Sequence, residues 1–120
     1  MELNFIESGG QTIAHVQSDT VIISNGQDAG ELLMNCRYNG SDSIIIKEEN
    51  LPAEFFDLST GLAGDILQMF STYQGRLAII GDFSKFDSKS LSDFIYESNK
   101  GKRINFVSTF EEAVVALGRL

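Results

Sequence analysis

An acidic residue, two hydroxyl residues and a glycine lie close together near the middle of the chain. They are Asp57, Ser59, Thr60 and Gly61, and an apolar run with helical spacing begins directly after them. The free amides at the start of a helix attract anions, and a hydroxyl group there can accept an amide hydrogen bond or a phosphoryl group. These residues are therefore the first candidates for a ligand site or a phosphoacceptor. Helix capping by Ser59 or Thr60 is the plainer explanation of the same pattern.

A second group of polar residues follows the next apolar run, which spans 76–81. Asp82 and Ser84 come directly after it, and in open α/β folds ligands bind where the carboxyl ends of parallel strands meet. If Asp57 and Asp82 both reach that edge, one of them with a raised pKa would be a candidate general acid. No nucleophile and base accompany them as a pair, so we predict that the chain is not an enzyme.

Cofactor and metal signatures are not found in the sequence. Gly61 and Gly64 lack the spacing and the lysine of a phosphate-binding loop, and we expect Gly64 to allow close helix packing instead. The single histidine, His15, falls in a strand pattern, and the single cysteine, Cys36, falls on the apolar face of a helix pattern. Cys36 is therefore expected to be a small buried hydrophobic residue. We predict neither a cofactor nor a metal site.

Two further groups of residues are candidates for a partner surface. Phe83 and Phe86 flank a polar loop, where they either form an exposed aromatic patch or pack back over the edge of the sheet. Lys100, Lys102 and Arg103 form a basic cluster near the end of a helix pattern. Such a cluster either binds an acidic segment of a partner or complements the helix dipole.

The composition limits the class of protein. The chain has 120 residues, of which 42% are hydrophobic, and a formal net charge of −8. This length and apolar content fit one domain over residues 1–120 with a core of its own. The acidic balance argues against nucleic acid and anionic membranes as partners. No apolar run is long enough to cross a bilayer and no signal-peptide pattern opens the chain, so we expect a cytoplasmic protein.

Apolar periodicity indicates the elements that position these candidates. Two short strand patterns around Gly9 and Gly10 predict a hairpin, and helix and strand patterns then alternate along the chain. The predicted order is β-β-α-β-α-β-α-β-α, which favours an α/β fold with a mostly parallel sheet and an antiparallel edge hairpin. The expected helix starts are Ser24 with Gln27, Ser59 or Thr60, Ser90, and Ser108 with Glu111.

Three stretches of the chain resemble a known bacterial family. They are FFDLSTGLAG at 55–64, LAIIGDFS at 77–84 and DFIYESNKG at 93–101. Together they are similar to the family named domain of unknown function 4180, and the resemblance extends over nearly the whole chain. That family has no established activity, so the resemblance implies a bacterial protein with a shared fold but implies no mechanism.

The order of the elements also resembles the STAS domain of sulfate transporters and anti-sigma factor antagonists. Residues 59–62, STGL, match the hydroxyl-hydroxyl-glycine-aliphatic core of its hallmark motif at the predicted start of the second helix. The resemblance implies that Ser59 or Thr60 is phosphorylated by a partner kinase, as in the antagonists. In their motif an acid directly precedes the hydroxyl pair, whereas here Leu58 separates Asp57 from Ser59.

We therefore predict a bacterial, STAS-like regulatory domain that binds a protein partner. The resemblance places its switch, a phosphorylation, at the start of the second helix. The alternative is a domain that binds a small ligand or an anion in the crevice at the carboxyl ends of the strands.

Overall fold

The structure, a computed structural model, describes residues 1–119. The strands are β1 (Glu2–Ser8), β2 (Gln11–Gln17), β3 (Ser43–Lys47), β4 (Arg76–Ile80) and β5 (Ile104–Val107). The helices are α1 (Gly26–Tyr38), α2 (Leu62–Thr72), α3 (Lys89–Lys100) and α4 (Phe110–Gly118). Their order along the chain confirms the predicted β-β-α-β-α-β-α-β-α arrangement.

One sheet holds these strands in the order β1-β2-β3-β4-β5. β1 pairs with β2 in the antiparallel direction, and each later pair of neighbours is parallel. The hairpin closes through Gly9 and Gly10, whose φ angles of 58° and 80° suit a two-residue turn. The prediction of a mostly parallel sheet with an antiparallel edge hairpin is therefore confirmed.

The two faces of the sheet carry cores of different size. The larger core holds buried side chains of α1, α2 and α3 together with Ile44 and Ile46 of β3. The smaller core holds α4 and Ile45 on the other face, because alternate side chains of a strand point to opposite faces. Cys36 is fully buried in the larger core, and burial raises the pKa of its thiol to about 11. This confirms the expectation of a buried hydrophobic cysteine.

Glycines of α1 allow this helix to pack closely against α2. A Cβ atom on Gly30 would lie 3.1 Å from the Sδ atom of Met69, and one on Gly26 would lie 3.6 Å from the carbonyl oxygen of Asp65. Gly64, which was expected to allow close packing, is exposed, and a Cβ atom there would meet nothing within 4 Å. That expectation is wrong because the close approach uses the glycines of the neighbouring helix.

The first helix has its cap one residue later than predicted. Asn25 is the N-cap, and its side-chain oxygen accepts the amide hydrogen of Asp28 at 2.8 Å. The Asp28 carboxylate in turn accepts the amide hydrogen of Ser24 at 2.9 Å. The predicted pairing of Ser24 with Gln27 is therefore wrong by one position, because Ser24 and Asn25 are both good caps and the amide of Asp28 bonds the Asn25 side chain.

The third helix begins before its predicted cap. Its N-cap is Ser88, whose hydroxyl oxygen accepts the amide hydrogen of Leu91 at 3.2 Å, so Ser90 lies inside the first turn. Leu91 is buried in the larger core. Because the helix starts earlier, the amide of the buried Leu91 has a hydrogen-bond partner in Ser88. The prediction of Ser90 as the cap is therefore wrong.

The last helix is also capped one residue later than predicted. Thr109 is the N-cap, and its hydroxyl oxygen accepts the amide hydrogen of Glu112 at 3.1 Å. The Glu112 carboxylate accepts the amide hydrogen of Ser108 at 3.2 Å. The predicted pair of Ser108 and Glu111 is therefore wrong, since Ser108 and Thr109 have similar capping ability and spacing alone does not choose between them.

Candidate functional site

The loops that follow β3 and β4 meet at the carboxyl edge of the sheet. Lys47 at the end of β3 is paired with Ile80 at the end of β4. The loop after β3 passes through three 3-10 turns before α2, and the loop after β4 forms one. The Glu48 carboxylate joins the loops, because it accepts the amide hydrogen of Asp82 at 3.2 Å and pairs with the Lys85 ammonium at 2.8 Å. The predicted site residues of both loops therefore share one edge.

Asn50 anchors the first of these loops from inside the protein. Its side chain is fully buried, accepts the amide hydrogen of Lys47 at 2.9 Å, and donates to the carbonyl oxygens of Ser18 and Thr20, both at 2.9 Å. The loop before α1 is thereby tied to the loop after β3. The position of Asn50 at this edge was predicted but its anchoring role was not, because two of its partners lie 32 and 30 residues away in the sequence.

The hydroxyl pair lies in a turn of its own and not at the start of the helix. Ser59 and Thr60 belong to the 3-10 turn Leu58–Thr60, and α2 begins after Gly61, whose φ is 80°. Asp57 caps this turn, because its Oδ1 atom accepts the amide hydrogen of Ser59 at 3.1 Å and the hydroxyl hydrogen of Ser59 at 2.6 Å. The prediction that Ser59 or Thr60 is the N-cap of α2 is therefore wrong.

The two hydroxyl groups are held differently. Ser59 is exposed, and within residues 1–119 its hydroxyl bonds the Asp57 carboxylate alone. The Thr60 hydroxyl lies 2.8 Å from the carbonyl oxygen of Glu54 and 2.9 Å from that of Asp57, and it accepts the amide hydrogen of Leu62 at 3.3 Å. Ser59 is therefore the less constrained hydroxyl, whereas Thr60 braces the turn.

The loop after β4 repeats the arrangement of Asp57 and Ser59. The Asp82 carboxylate accepts the amide hydrogen of Ser84 at 3.1 Å and its hydroxyl hydrogen at 2.6 Å. The hydroxyl bond, followed by the amide bond, lowers the pKa of Asp82, and the bonds from Ser59 lower the pKa of Asp57 in the same way. Both carboxylates are therefore ionised at neutral pH. Neither has the raised pKa that the general-acid alternative requires.

Phe83 and Phe86 pack over the edge of the sheet. The ring of Phe86 stacks on Phe56, with centroids 4.7 Å apart and an interplanar angle of 12°. Phe83 meets Phe106 of β5 edge to face, with centroids 5.1 Å apart. Both rings are half-buried, so they join the two loops and the sheet instead of forming a separate exposed patch. Together with Ser84 they line a cavity of about 280 Å³.

The basic cluster lies at the opposite edge of the sheet. Lys100, Lys102 and Arg103 directly precede β5, beside the amino ends of β4 and β5. The Arg103 guanidinium donates to the carbonyl oxygen of Gly75 at 2.6 Å, and the Lys100 ammonium pairs with Glu97 at 3.2 Å. The structure therefore does not bring these residues to the candidate site. Arg103 instead stabilises the turn that leads into β4.

The histidine and the acidic residues form no metal centre in the described part of the chain. Among residues 1–119, no three His, Cys, Asp or Glu side chains lie close enough to hold a metal ion. The ring centroid of His15 lies 4.6 Å from that of Phe110, and burial followed by the charge of Lys47 lowers the pKa of His15. No helix of the same residues is long and apolar enough to cross a membrane.

Comparison with known proteins identifies the family and the fold. A family model described as "Domain of unknown function (DUF4180)" matches residues 8–117. A search of curated proteins found no match. The crystal structure of a Thermotoga maritima protein, provisionally assigned as an anti-sigma factor antagonist, superposes with a TM-score of 0.52. The match covers 98% of this chain and 94% of that chain at 12% sequence identity, so the likeness establishes a common, STAS-like fold.

Proposed function

The chain belongs to the DUF4180 family and shares its fold with an anti-sigma factor antagonist, and from this premise we propose that it is a regulatory domain that binds a protein partner. The contact surface is the carboxyl edge formed by the loops after β3 and β4. Ser59 is the phosphoacceptor that switches this surface, and Thr60 is the second candidate. The observation that supports this choice is the exposed Ser59 hydroxyl, bonded to the Asp57 carboxylate at 2.6 Å.

Ser59 is open to phosphoryl transfer from a nucleoside triphosphate held by a partner kinase. The Ser59 hydroxyl donates its hydrogen to Asp57, so the lone pairs of the Ser59 oxygen take no part in that hydrogen bond. Attack forms a bond from the Ser59 oxygen to the γ-phosphorus and breaks the bond to the nucleoside diphosphate, while the hydroxyl proton passes to a base of the kinase. Thr60 is less suited to this reaction, because its hydroxyl is bound to two carbonyl oxygens within the turn.

A phosphate on Ser59 changes both the charge and the shape of the turn. It adds roughly −1.5 to −2 charges and three acceptor oxygens beside a carboxylate that is already ionised. The hydrogen bond from the Ser59 hydroxyl to Asp57 is then lost, and repulsion separates the phosphate from the carboxylate. Because Asp57 caps the turn that leads into α2, the modification reshapes this surface and weakens its fit to the partner that binds the unmodified domain.

Phosphomimetic variants test the proposal on the partner that the domain binds in its native host. Ser59→Asp is expected to weaken binding by about tenfold or more, as measured by titration calorimetry. Ser84→Asp is the comparison variant, since Ser84 makes the same two bonds to Asp82 on the neighbouring loop of this surface. It adds the same charge without changing the turn that holds Ser59, so it should weaken binding less. If Ser59→Asp and Thr60→Asp both leave binding unchanged, the proposal fails.

The second candidate function is the binding of a small ligand in the same crevice. It is supported by the cavity beside Ser84, whose walls include the rings of Phe83 and Phe86. The ionised Asp57 and Asp82 favour a neutral or cationic ligand over an anion. A ligand that raises the melting temperature of the protein, with the rise abolished by substitution of Asp82 or Thr60, would support this function over the protein switch.

A further inference from the structure

A long groove runs between α1 and α2 on the outer surface of the protein, with a volume of about 780 Å³. It exists because Gly30 on α1 carries no side chain where Met69 of α2 passes, so the two helices approach closely along one line. Met34 lines one wall and Tyr73 the other, and these side chains are 44% and 47% exposed. The floor and walls are therefore apolar and open to solvent.

Carboxylates flank this apolar floor on both sides. Glu31 stands on the α1 side and Asp65 on the α2 side, and both are exposed. None of the groove's described lining residues is Lys or Arg, and neither Glu31 nor Asp65 has an ion-pair partner within residues 1–119. Arg37, further along α1, is already engaged by the Asp42 carboxylate and the carbonyl oxygen of Tyr73. The negative charge of the rims is therefore left uncompensated.

We propose that this groove binds a basic amphipathic helix of a partner protein. The apolar face of such a helix would lie against Met34, Met69 and Tyr73, while its Lys or Arg residues would reach Glu31 and Asp65. Flexible, polarisable methionine side chains suit a helix-binding groove because they adapt to different apolar residues. The groove extends along the chain from 26 to 34 and from 65 to 73, which is about 12 Å at about 1.5 Å per residue, so it accepts about two helical turns.

The charge of the groove selects this occupant over others. An acidic or neutral helix would gain the same apolar contact but would leave Glu31 and Asp65 facing like charge or no charge. The net charge of −8 for the whole chain adds long-range attraction for a basic segment. The groove lies on the outer side of α1 and α2, apart from the turn that holds Ser59, so the inference does not depend on phosphorylation.

A synthetic amphipathic peptide tests the inference on the full chain. The probe is a fluorescent Leu/Lys helix of roughly 14 residues with leucines at helical spacing, and its controls are a scrambled sequence and a Leu/Glu version. We expect saturable binding of the Leu/Lys helix by fluorescence anisotropy, weakened by salt. In the methionine methyl NMR spectrum, Met34 and Met69 should shift more than Met1, which does not line the groove.

Two substitutions with the same change of charge separate specific from general attraction. Glu31→Lys is expected to weaken binding about five- to tenfold, whereas Glu111→Lys on α4, behind the sheet, should leave it within about twofold. Met34→Lys, at an exposed position, removes an apolar contact and adds repulsion toward a basic helix, so it should abolish binding without unfolding the protein.

Four outcomes would overturn the inference. They are the absence of saturable binding, equal weakening by Glu31→Lys and Glu111→Lys, binding of the Leu/Glu helix as tight as that of the Leu/Lys helix, and a dimer that Met34→Lys converts to a monomer. The last outcome would mean that a second copy of the chain occupies the groove.

Discussion

Asp57 and Ser59 are joined by two hydrogen bonds that converge on one carboxylate oxygen, at 3.1 Å from the amide nitrogen and 2.6 Å from the hydroxyl oxygen. The same relationship joins Asp82 and Ser84 on the neighbouring loop. Each pair starts a 3-10 turn at the carboxyl edge of the sheet. The chain therefore contains its own control, since a substitution in one pair can be compared with the same substitution in the other.

The first prediction concerns the titration of these two carboxylates. Hydrogen bonds from serine lower the pKa of Asp57 and of Asp82 below the ordinary value of 3.8. Ser59→Ala should raise the pKa of Asp57 toward that value and leave Asp82 unchanged, and Ser84→Ala should do the reverse. The measurement is a carbon NMR titration of the carboxyl groups. An unsubstituted Asp57 that titrates at its ordinary pKa would contradict the geometry.

The lowered pKa values also set the direction of a pH effect on stability. A carboxyl group whose pKa is lower in the folded state stabilises that state above its unfolded pKa, which is about 3.9. This contribution is lost as the pH falls through the folded pKa. Denaturation by urea at pH 6 and at successively lower pH should show a smaller pH dependence in the Ser59→Ala, Ser84→Ala double variant than in the unsubstituted protein.

The second prediction concerns Asn50. Asn50→Ala removes the partners of the Lys47 amide and of two carbonyl oxygens in the loop before α1, and part of this network is withdrawn from water. We expect the free energy of unfolding to fall by about 2–4 kcal/mol. Asn39→Ala, which removes an exposed side-chain bond to a carbonyl oxygen, should cost less than about 1 kcal/mol. Similar losses in urea denaturation for both variants would refute the anchoring role of Asn50.

The third prediction uses two glycines with different surroundings. A Cβ atom on the buried Gly75 would lie 2.7 Å and 2.8 Å from the methyl groups of Leu33, so Gly75→Ala should destabilise the protein by about 1–3 kcal/mol. Gly64 lies in the exposed surface of α2 with no atom within 4 Å of the same position. Gly64→Ala should therefore stabilise the protein by about 0.5–1 kcal/mol. Thermal unfolding of both variants checks the two signs, and a destabilised Gly64→Ala protein would show that the position is not open.

The order of the elements could be predicted because each element carries its own periodic signal. The isoleucines at 44–46 indicate a strand buried on both faces without reference to any other part of the chain. The helix caps were missed by one or two positions for a related reason. Ser24 and Asn25 are neighbours with similar capping ability, and so are Ser108 and Thr109. The choice within each pair depends on the hydrogen bonds that the third residue of the helix makes with the residues before it.

The features that could not be predicted depend on partners far apart in the sequence. Asn50 looks like one residue of a polar strand exit until the fold brings the loop before α1 against it. The groove between α1 and α2 depends on the alignment of Gly30 with Met69 across two helices. At the candidate site the residue types were predicted correctly as members of one sheet edge. The separate turn that Asp57 forms with Ser59 was not predicted, because the same stretch of sequence was interpreted as the cap of α2.

The measurement that tests the central claim most directly is intact-mass analysis of the protein isolated from its native host, followed by mapping of any phosphoryl adduct. We predict one adduct on Ser59, which is lost in Ser59→Ala and retained in Thr60→Ala and in Ser84→Ala. A protein that stays unmodified in its host, or an adduct that maps to any residue other than Ser59, would contradict the assignment of Ser59 as the switch.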